Sequence, residues 1–192
     1  MVQSSSNTLA APAANRPTAE AERVSQYLTF TLGHDLFAIA IQHIKEIIEF
    51  GGLTEIPMMP PFLRGVLNLR GAMVPVIDLT ERFTHERTTI GKRTCVVILE
   101  LENEQAVQLM GILVDSVNEV LAVEQHAIEA RPSFGARIRS DFIEGMINLN
   151  GHFVIALDIE QVLSLDELTQ MIELAVSGDG LSEAMAGEQV AG

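Results

Sequence analysis

The stretch "FLRGVLNLRGAMVPVIDL" at 62–79 returns as "FIEGMINLNGHFVIALDI" at 142–159, and this pair decides how the chain folds. At a constant offset of 80, seven of the 18 positions are identical: Phe62/Phe142, Gly65/Gly145, Asn68/Asn148, Leu69/Leu149, Gly71/Gly151, Val74/Val154 and Asp78/Asp158. Each copy reads as two short apolar strands joined by a tight turn. A two-residue hairpin turn holds both of its residues at positive φ, which Asn-Gly tolerates best. The second copy has that dipeptide, Asn150-Gly151, whereas the first has Arg70-Gly71. If the geometry is retained, Arg70 carries a conformational cost on the order of 1 kcal/mol. Two explanations stand open: an exposed Arg beside an apolar stripe is a good interface anchor, or Arg70 is a solvated residue in a slightly different loop.

Working outward, "AIAIQHIKEII" (38–48) aligns with "GILVDSVNEVL" (111–121) at an offset of 73, with Ile39/Ile112 and Glu46/Glu119 identical. The change of seven between the offsets is taken up by a longer loop in "EQHAIEARPSFGARIRS" (124–140). Two copies of one β unit are expected, at about 27–90 and 93–165, within a single domain at 25–165. The runs "YLTFTL", "LFAIAI", "GVLNL", "AMVPVI", "TCVVILEL", "MGILV" and "HFVIAL" are rich in β-branched and aromatic residues and separated by turn formers or charges, the pattern of short strands. In "HDLFAIAIQHIKEII" the spacing of Ile41, Ile44 and Ile48 also fits a brief helix. About five short strands per unit are too few for a sandwich and would close into a small barrel, which removes exposed edges. The fold class expected is mainly β: two packed five-stranded barrels with short helices.

The flanks differ in kind. Residues 1–24 are rich in Ser, Ala, Asn and Pro without apolar periodicity and read as a flexible arm. Residues 166–192 hold Asp166, Glu167, Glu173, Asp179, Glu183 and Glu188 and no Lys or Arg; a helix over 164–176 followed by an acidic tail is the plain reading.

Composition narrows the function. With 47% hydrophobic residues the chain can bury a core, and its net charge of −14 disfavours nucleic acid and anionic lipid. The single cysteine, Cys95, allows no internal disulfide and fits a reducing, cytoplasmic compartment. "LAAPAA" (9–14) is too short and lacks the basic segment of a secretory signal, and no apolar run is long enough to span a bilayer.

Catalytic and metal constellations are hard to find. The histidines at 34, 43, 85, 126 and 152 show no ligand-pair spacing, and "HERTT" (85–89) lacks a second His. "IGKRT" (90–94) resembles the end of a phosphate loop, but Glu86 stands where its first glycine belongs. Ser116 and Ser133 lack glycine flanks, and Cys95 lies in an apolar strand. Asp78 and Asp158 end equivalent strands; the spacing from Asp78 to Glu81 favours helix capping over catalysis. No catalytic residue, metal ligand or cofactor is therefore assigned.

The strip "PPFLRGVLNLRGAMVPVIDL" (60–79) resembles the CheW family of bacterial chemotaxis coupling proteins in its proline, Phe-x-x-Gly, Asn-Leu-Arg-Gly and Val-Pro-x-x-Asp-Leu pattern. "YLTFTLGHDLFAIAIQHIKEII" (27–48) and "GILVDSVNEVL" (111–121) follow in the family's order, so the likeness covers about 27–165. It implies two SH3-like five-stranded barrels and a non-enzymatic scaffold linking transmembrane chemoreceptors to the histidine kinase CheA. The receptor's helical tip would lie in a groove between barrels, while the kinase's regulatory domain would dock at barrel ends and propagate rings. Carried over by motif, receptor-facing positions are Ile44, Glu46, Arg70, Met73, Val117 and Val120, and kinase-facing positions are Leu53, Arg64 and Gly65. Core packing competes as a role for Ile44, Met73, Val117 and Val120, and the recurrence of Glu46 as Glu119 suits a shared structural role. The same likeness implies a cytoplasmic protein recruited to receptor arrays at the inner face of the membrane, without insertion. Alternatives are a coupling protein for a system controlling pili or another output, and a β-barrel sensor of a small ligand.

Overall fold

The structure, a computed structural model, describes residues 24–102, 107–131 and 138–164. In chain order the strands are β1 (Val24–Leu32), β2 (Asp35–Ala40), β3 (Ile44–Glu49), β4 (Leu63–Leu69), β5 (Ala72–Asp78), β6 (Cys95–Glu102), β7 (Val107–Val114), β8 (Ser116–Glu124), β9 (Ile128–Glu129), β10 (Ile143–Leu149) and β11 (His152–Leu157). Two short helices, α1 (Leu79–Thr84) and α2 (Ile159–Val162), follow β5 and β11. The expected helix within 34–48 is reduced to a single 3-10 turn, Ile41–His43, between two strands. The arm at 1–24 lies outside the described residues except for Val24, which opens β1, and of the helix expected at 164–176 only Ser164 is described.

The two repeated stretches form the same hairpin. Both turns take the positive φ that the spacing predicts, with Arg70 at 52° and Gly71 at 94° against Asn150 at 53° and Gly151 at 88°. In each, a side-chain amide upstream closes the turn: Asn68 Oδ1 accepts from Gly71 N–H at 2.8 Å and Asn148 Oδ1 from Gly151 N–H at 3.0 Å. Each hairpin carries a register shift at the same place, between Leu63 and Gly65 and between Ile143 and Gly145. Each ends on an aspartate that caps the following helix, Asp78 accepting from Glu81 N–H and Asp158 from Gln161 N–H.

Both sheets close. One has the order β8-β1-β2-β11-β10-β9, and since β9 follows β8 through one 3-10 turn, its two ends are one stretch of chain. The other has the order β3-β6-β7-β5-β4, and Thr54, just beyond β3, bridges Val66 of β4 through paired hydrogen bonds of 2.9 and 2.8 Å. At these closures the chain comes too near for a side chain. A Cβ at Gly65 would lie 2.5 Å from Thr54 O; one at Gly145 would lie 2.4 Å from Ile128 Cγ2 and 2.7 Å from Glu129 O. That requirement accounts for the Gly65/Gly145 identity.

The barrels do not coincide with the two repeats. The second sheet is built from 44–114 without interruption, whereas the first takes β1 and β2 from before it and β8 to β11 from after it. One barrel is thus inserted into the other, and the chain crosses between them at Ile41–His43 and at Asp115. Equivalent hairpins, β1-β2 and β6-β7, have traded places: β1 pairs with β8, and β6 with β3. Both hairpins are covered on two faces. In β6, Val97, Leu99 and Leu101 face a central apolar cluster, while Val96 and Ile98 fill the inserted barrel. In β1, Leu28, Phe30 and Leu32 join the same central cluster, while Tyr27 turns into the split barrel. Double burial explains why β6 and β7 read as nearly continuous apolar runs, whereas β3 alternates half-buried with exposed positions.

The central cluster welds the barrels together. A chain of rings, Phe30–Phe37–Phe83–Phe142, runs through it with centroids 6.0–6.1 Å apart. Phe83 comes from α1 of the inserted barrel and packs between Phe37 and Phe142 of the split one. Beside it, the Arg82 guanidinium lies 5.1 Å from the centroids of both Phe62 and Phe142. A buried polar residue has its own reason: Thr29 Oγ1 donates to Glu119 O and accepts from Glu119 N–H, satisfying the backbone where the β1–β8 register shifts.

Candidate functional site

The first turn and β3 meet. Arg70, held at positive φ by its turn, reaches back across the barrel closure, and its guanidinium donates to Glu46 Oε2 at 3.0 Å. The two partners differ in exposure: 79% of the Arg70 side chain is accessible and 23% of Glu46. The pair therefore presents a cation to solvent, positioned by a half-covered carboxylate. The equivalent place on the split barrel holds Asn150 and Glu119; Glu119 is exposed, and its described hydrogen bonds are the backbone ones to Thr29.

The remaining receptor-type positions fall on both barrels. Met73 is 60% exposed on β5 of the inserted barrel, and Val120 is 51% exposed on β8 of the split one. Ile44 and Val117 are half-buried and pack against the central cluster, where the two barrels join. They are equivalent by the offset of 73, one from each repeat. Core and surface readings thus divide the set: Ile44 and Val117 contribute to packing, while Met73 and Val120 leave apolar area in water. Two further exposed apolar positions are the repeat counterparts of these and were not read from the sequence. Ile47, the counterpart of Val120, and Phe153, the counterpart of Met73, are 43% and 52% exposed. The repeat alignment held the signal that would have found them.

The kinase-type positions each hold the inserted barrel together. Arg64 donates to Asp78 Oδ2 at 3.2 Å, with only 16% of its side chain accessible. Asp78 is fully buried and also accepts from the Thr88 amide at 3.0 Å and the Thr88 hydroxyl at 2.7 Å, so its charge is met by one cation and three further donors. Gly65 sits at the closure described above. Leu53 packs against the interior of the inserted barrel and lines a cleft of about 500 Å³ with Phe50, Thr54 and Val66. A larger cleft of about 650 Å³ opens at the end of the split barrel, with Tyr27, His43, Glu144 and Glu160 on its walls. There Tyr27 donates to Glu144 Oε1 at 2.9 Å; burial first, then this bond to a carboxylate, pushes the phenol far above the usual tyrosine range.

None of these places brings a nucleophile, a base and a stabilising donor together, and the described residues contain no group of three His, Cys, Asp or Glu arranged to hold a metal ion. No described helix is long and apolar enough to cross a membrane. What the fold offers is surface: two welded barrels that present paired charge and apolar side chains, as a protein-binding module does. The chain belongs to the CheW-like domain family, whose pattern matches residues 26–167. Among its relatives, the chemotaxis protein CheW of Klebsiella aerogenes is 32% identical over 79% of this chain and 89% of its own length. That of Treponema pallidum is 30% identical over 82% and 93%. Among solved structures, the crystal structure of the scaffolding protein TtCheW from Thermoanaerobacter tengcongensis superposes with a TM-score of 0.65 at 28% identity, covering 76% of this chain and 91% of that one.

Proposed function

We propose that this protein is the non-catalytic coupler of a chemosensory complex, holding a receptor tip on one surface and the regulatory domain of a CheA-type kinase on another. As a member of the CheW-like family it is a chemotaxis coupling protein. The observation that carries the receptor assignment is the Arg70–Glu46 pair beside exposed Met73, a constellation for which the split barrel has no charged counterpart to Arg70. Apolar side chains flanked by an acid and an Arg suit an amphipathic helix laid across them. Ile44 and Val117, which pack where the barrels join, and the exposed Val120 of the second barrel are assigned to the same surface. For the kinase, Leu53, Arg64 and Gly65 are assigned an indirect role: they shape the closed edge and cleft of the inserted barrel against which a second barrel end would rest. Recruitment of the protein to receptor arrays would follow from these contacts alone.

The test is co-purification with the kinase regulatory domain and a soluble receptor-tip fragment from the same genome. The protein should retain both. Met73→Asp, which places a charge on a side chain already in water, should lose the receptor fragment, keep the kinase domain and melt at the parental temperature. Retention of neither partner by the parental protein would overturn the proposal; retention of the receptor fragment by Met73→Asp would overturn its placement.

A further inference from the structure

The segment after α1 is locally cationic on an acidic molecule. Two buried threonines pin its ends: Thr88, 4% exposed, to the carboxylate of Asp78, and Thr94, 3% exposed, whose hydroxyl accepts from Gly91 N–H at 2.8 Å and whose carbonyl accepts from Phe50 N–H at 3.1 Å. Between them Thr89, Ile90, Gly91, Lys92 and Arg93 stand exposed. Residues 86–93 carry Arg87, Lys92 and Arg93 against Glu86, a local charge of +2 on a chain whose total is −14. Arg87 is paired with Glu81 at 3.3 Å, whereas Lys92 and Arg93 make no ion pair among the described residues. The fold thus anchors a short tip at both ends and leaves its two cations available.

We propose that this tip is a docking site for an acidic peptide segment, and that its occupant in the free protein is the chain's own 166–192 stretch. That stretch carries six acids and no Lys or Arg, the complement of the tip. Reach is ample, since the 28 residues after Ser164 can span about 90 Å when extended. Tethering gives an effective concentration on the order of mM, so an intrinsic dissociation constant of about 1 mM is enough to fill the tip half of the time. An acidic partner protein would then have to compete with the tail for Lys92 and Arg93.

The chain contains two lysines, Lys45 and Lys92, which makes a zero-length carbodiimide cross-link readable on the full-length protein. Lys45 contacts Glu100 at 2.5 Å and is the internal control. Mass spectrometry should find Lys92 joined to one or more of Asp166, Glu167, Glu173, Asp179, Glu183 and Glu188. The yield should fall at least fivefold in Arg93→Glu and in 1 M NaCl, where the screening length is about 3 Å. A mixture of isotopically light and heavy protein should give links within one chain. Lys92 linked only to acids outside 166–192, tail links indifferent to salt and to Arg93→Glu, or links formed between light and heavy copies would each overturn the proposal.

Discussion

Converting the first turn into the second, by Arg70→Asn, separates what the hairpin does for the fold from what it does for binding. Two terms oppose each other. An L-residue other than Asn or Gly at φ 52° costs on the order of 1 kcal/mol, which Asn largely relieves. The ion pair to Glu46 is lost, and with 79% of the Arg70 side chain in water such a pair contributes about 0.2–1 kcal/mol. The balance lies between neutral and about 0.8 kcal/mol stabilising, so the melting temperature should stay level or rise by no more than about 3 °C. Binding should move the other way. If Arg70 anchors the receptor tip, its loss costs about 2 kcal/mol, roughly a thirtyfold weakening. Calorimetric melting and titration of a receptor-tip fragment measure the two effects on the same sample. The reciprocal change, Asn150→Arg, should lower stability by about 1 kcal/mol and leave affinity unchanged. A clear fall in the melting temperature of Arg70→Asn with affinity preserved would refute the reasoning, because the pair would then serve the barrel rather than a partner.

Other outcomes follow from the same geometry. Gly65→Ala and Gly145→Ala should each destabilise by at least about 2 kcal/mol in denaturant titrations, because a Cβ would stand 2.5 Å from a carbonyl oxygen in one and 2.4 Å from a methyl in the other. Asp78→Ala should cost about 3–5 kcal/mol by leaving the half-buried Arg64 unpaired, and Asp158→Ala only about 1 kcal/mol, that of a helix cap; equal losses would show that the buried charge is unimportant. Tyr27 is the only tyrosine and there is no tryptophan, so alkaline absorbance reports it alone and should show ionisation well above the ordinary range. Because the folded state raises this pKa, the contribution of Tyr27 to stability should hold constant below about pH 10 and decline above it by up to about 1.4 kcal/mol per pH unit, a contribution to the alkaline decline that Tyr27→Phe removes.

The strands were legible wherever one physical demand acted alone. Unbroken apolar character marked β6 and β7 because both of their faces are covered, and the Asn-Gly turn marked β10–β11 because few other pairs accept two positive φ angles. β3 was obscured by a real irregularity. Its register shift between Ile44 and Glu46 puts Ile44 against the central cluster and Ile48 inside the inserted barrel, so an even spacing no longer means one face and imitates a helical pattern. The exchange of hairpins left no local trace. Internal similarity tells which segments are equivalent, and equivalent hairpins satisfy the same edge whichever repeat supplies them. Arg70 could be singled out from its mismatch with Asn150, but not its bond to Glu46, which depends on a closure made by residues in between. The bond from Arg64 to Asp78 could not be read either, because Asp78 is recognisable in sequence only as a cap.

The insertion of one barrel into the other also sets an order of events during synthesis. All strands of the inserted barrel emerge within one continuous stretch, so it can close while the following residues are still being added. The first hairpin cannot finish so early. Thr29 must wait for Glu119, 90 residues later, before its hydroxyl finds the backbone groups it serves, and until then β1 leaves the ribosome with an open edge and an apolar face uncovered. Contacts this distant in the chain form slowly, and an unpaired edge is the surface on which nascent chains aggregate. Folding of the intact protein should accordingly show a fast phase from the inserted barrel and a slower one in which the oldest strands are the last to be enclosed.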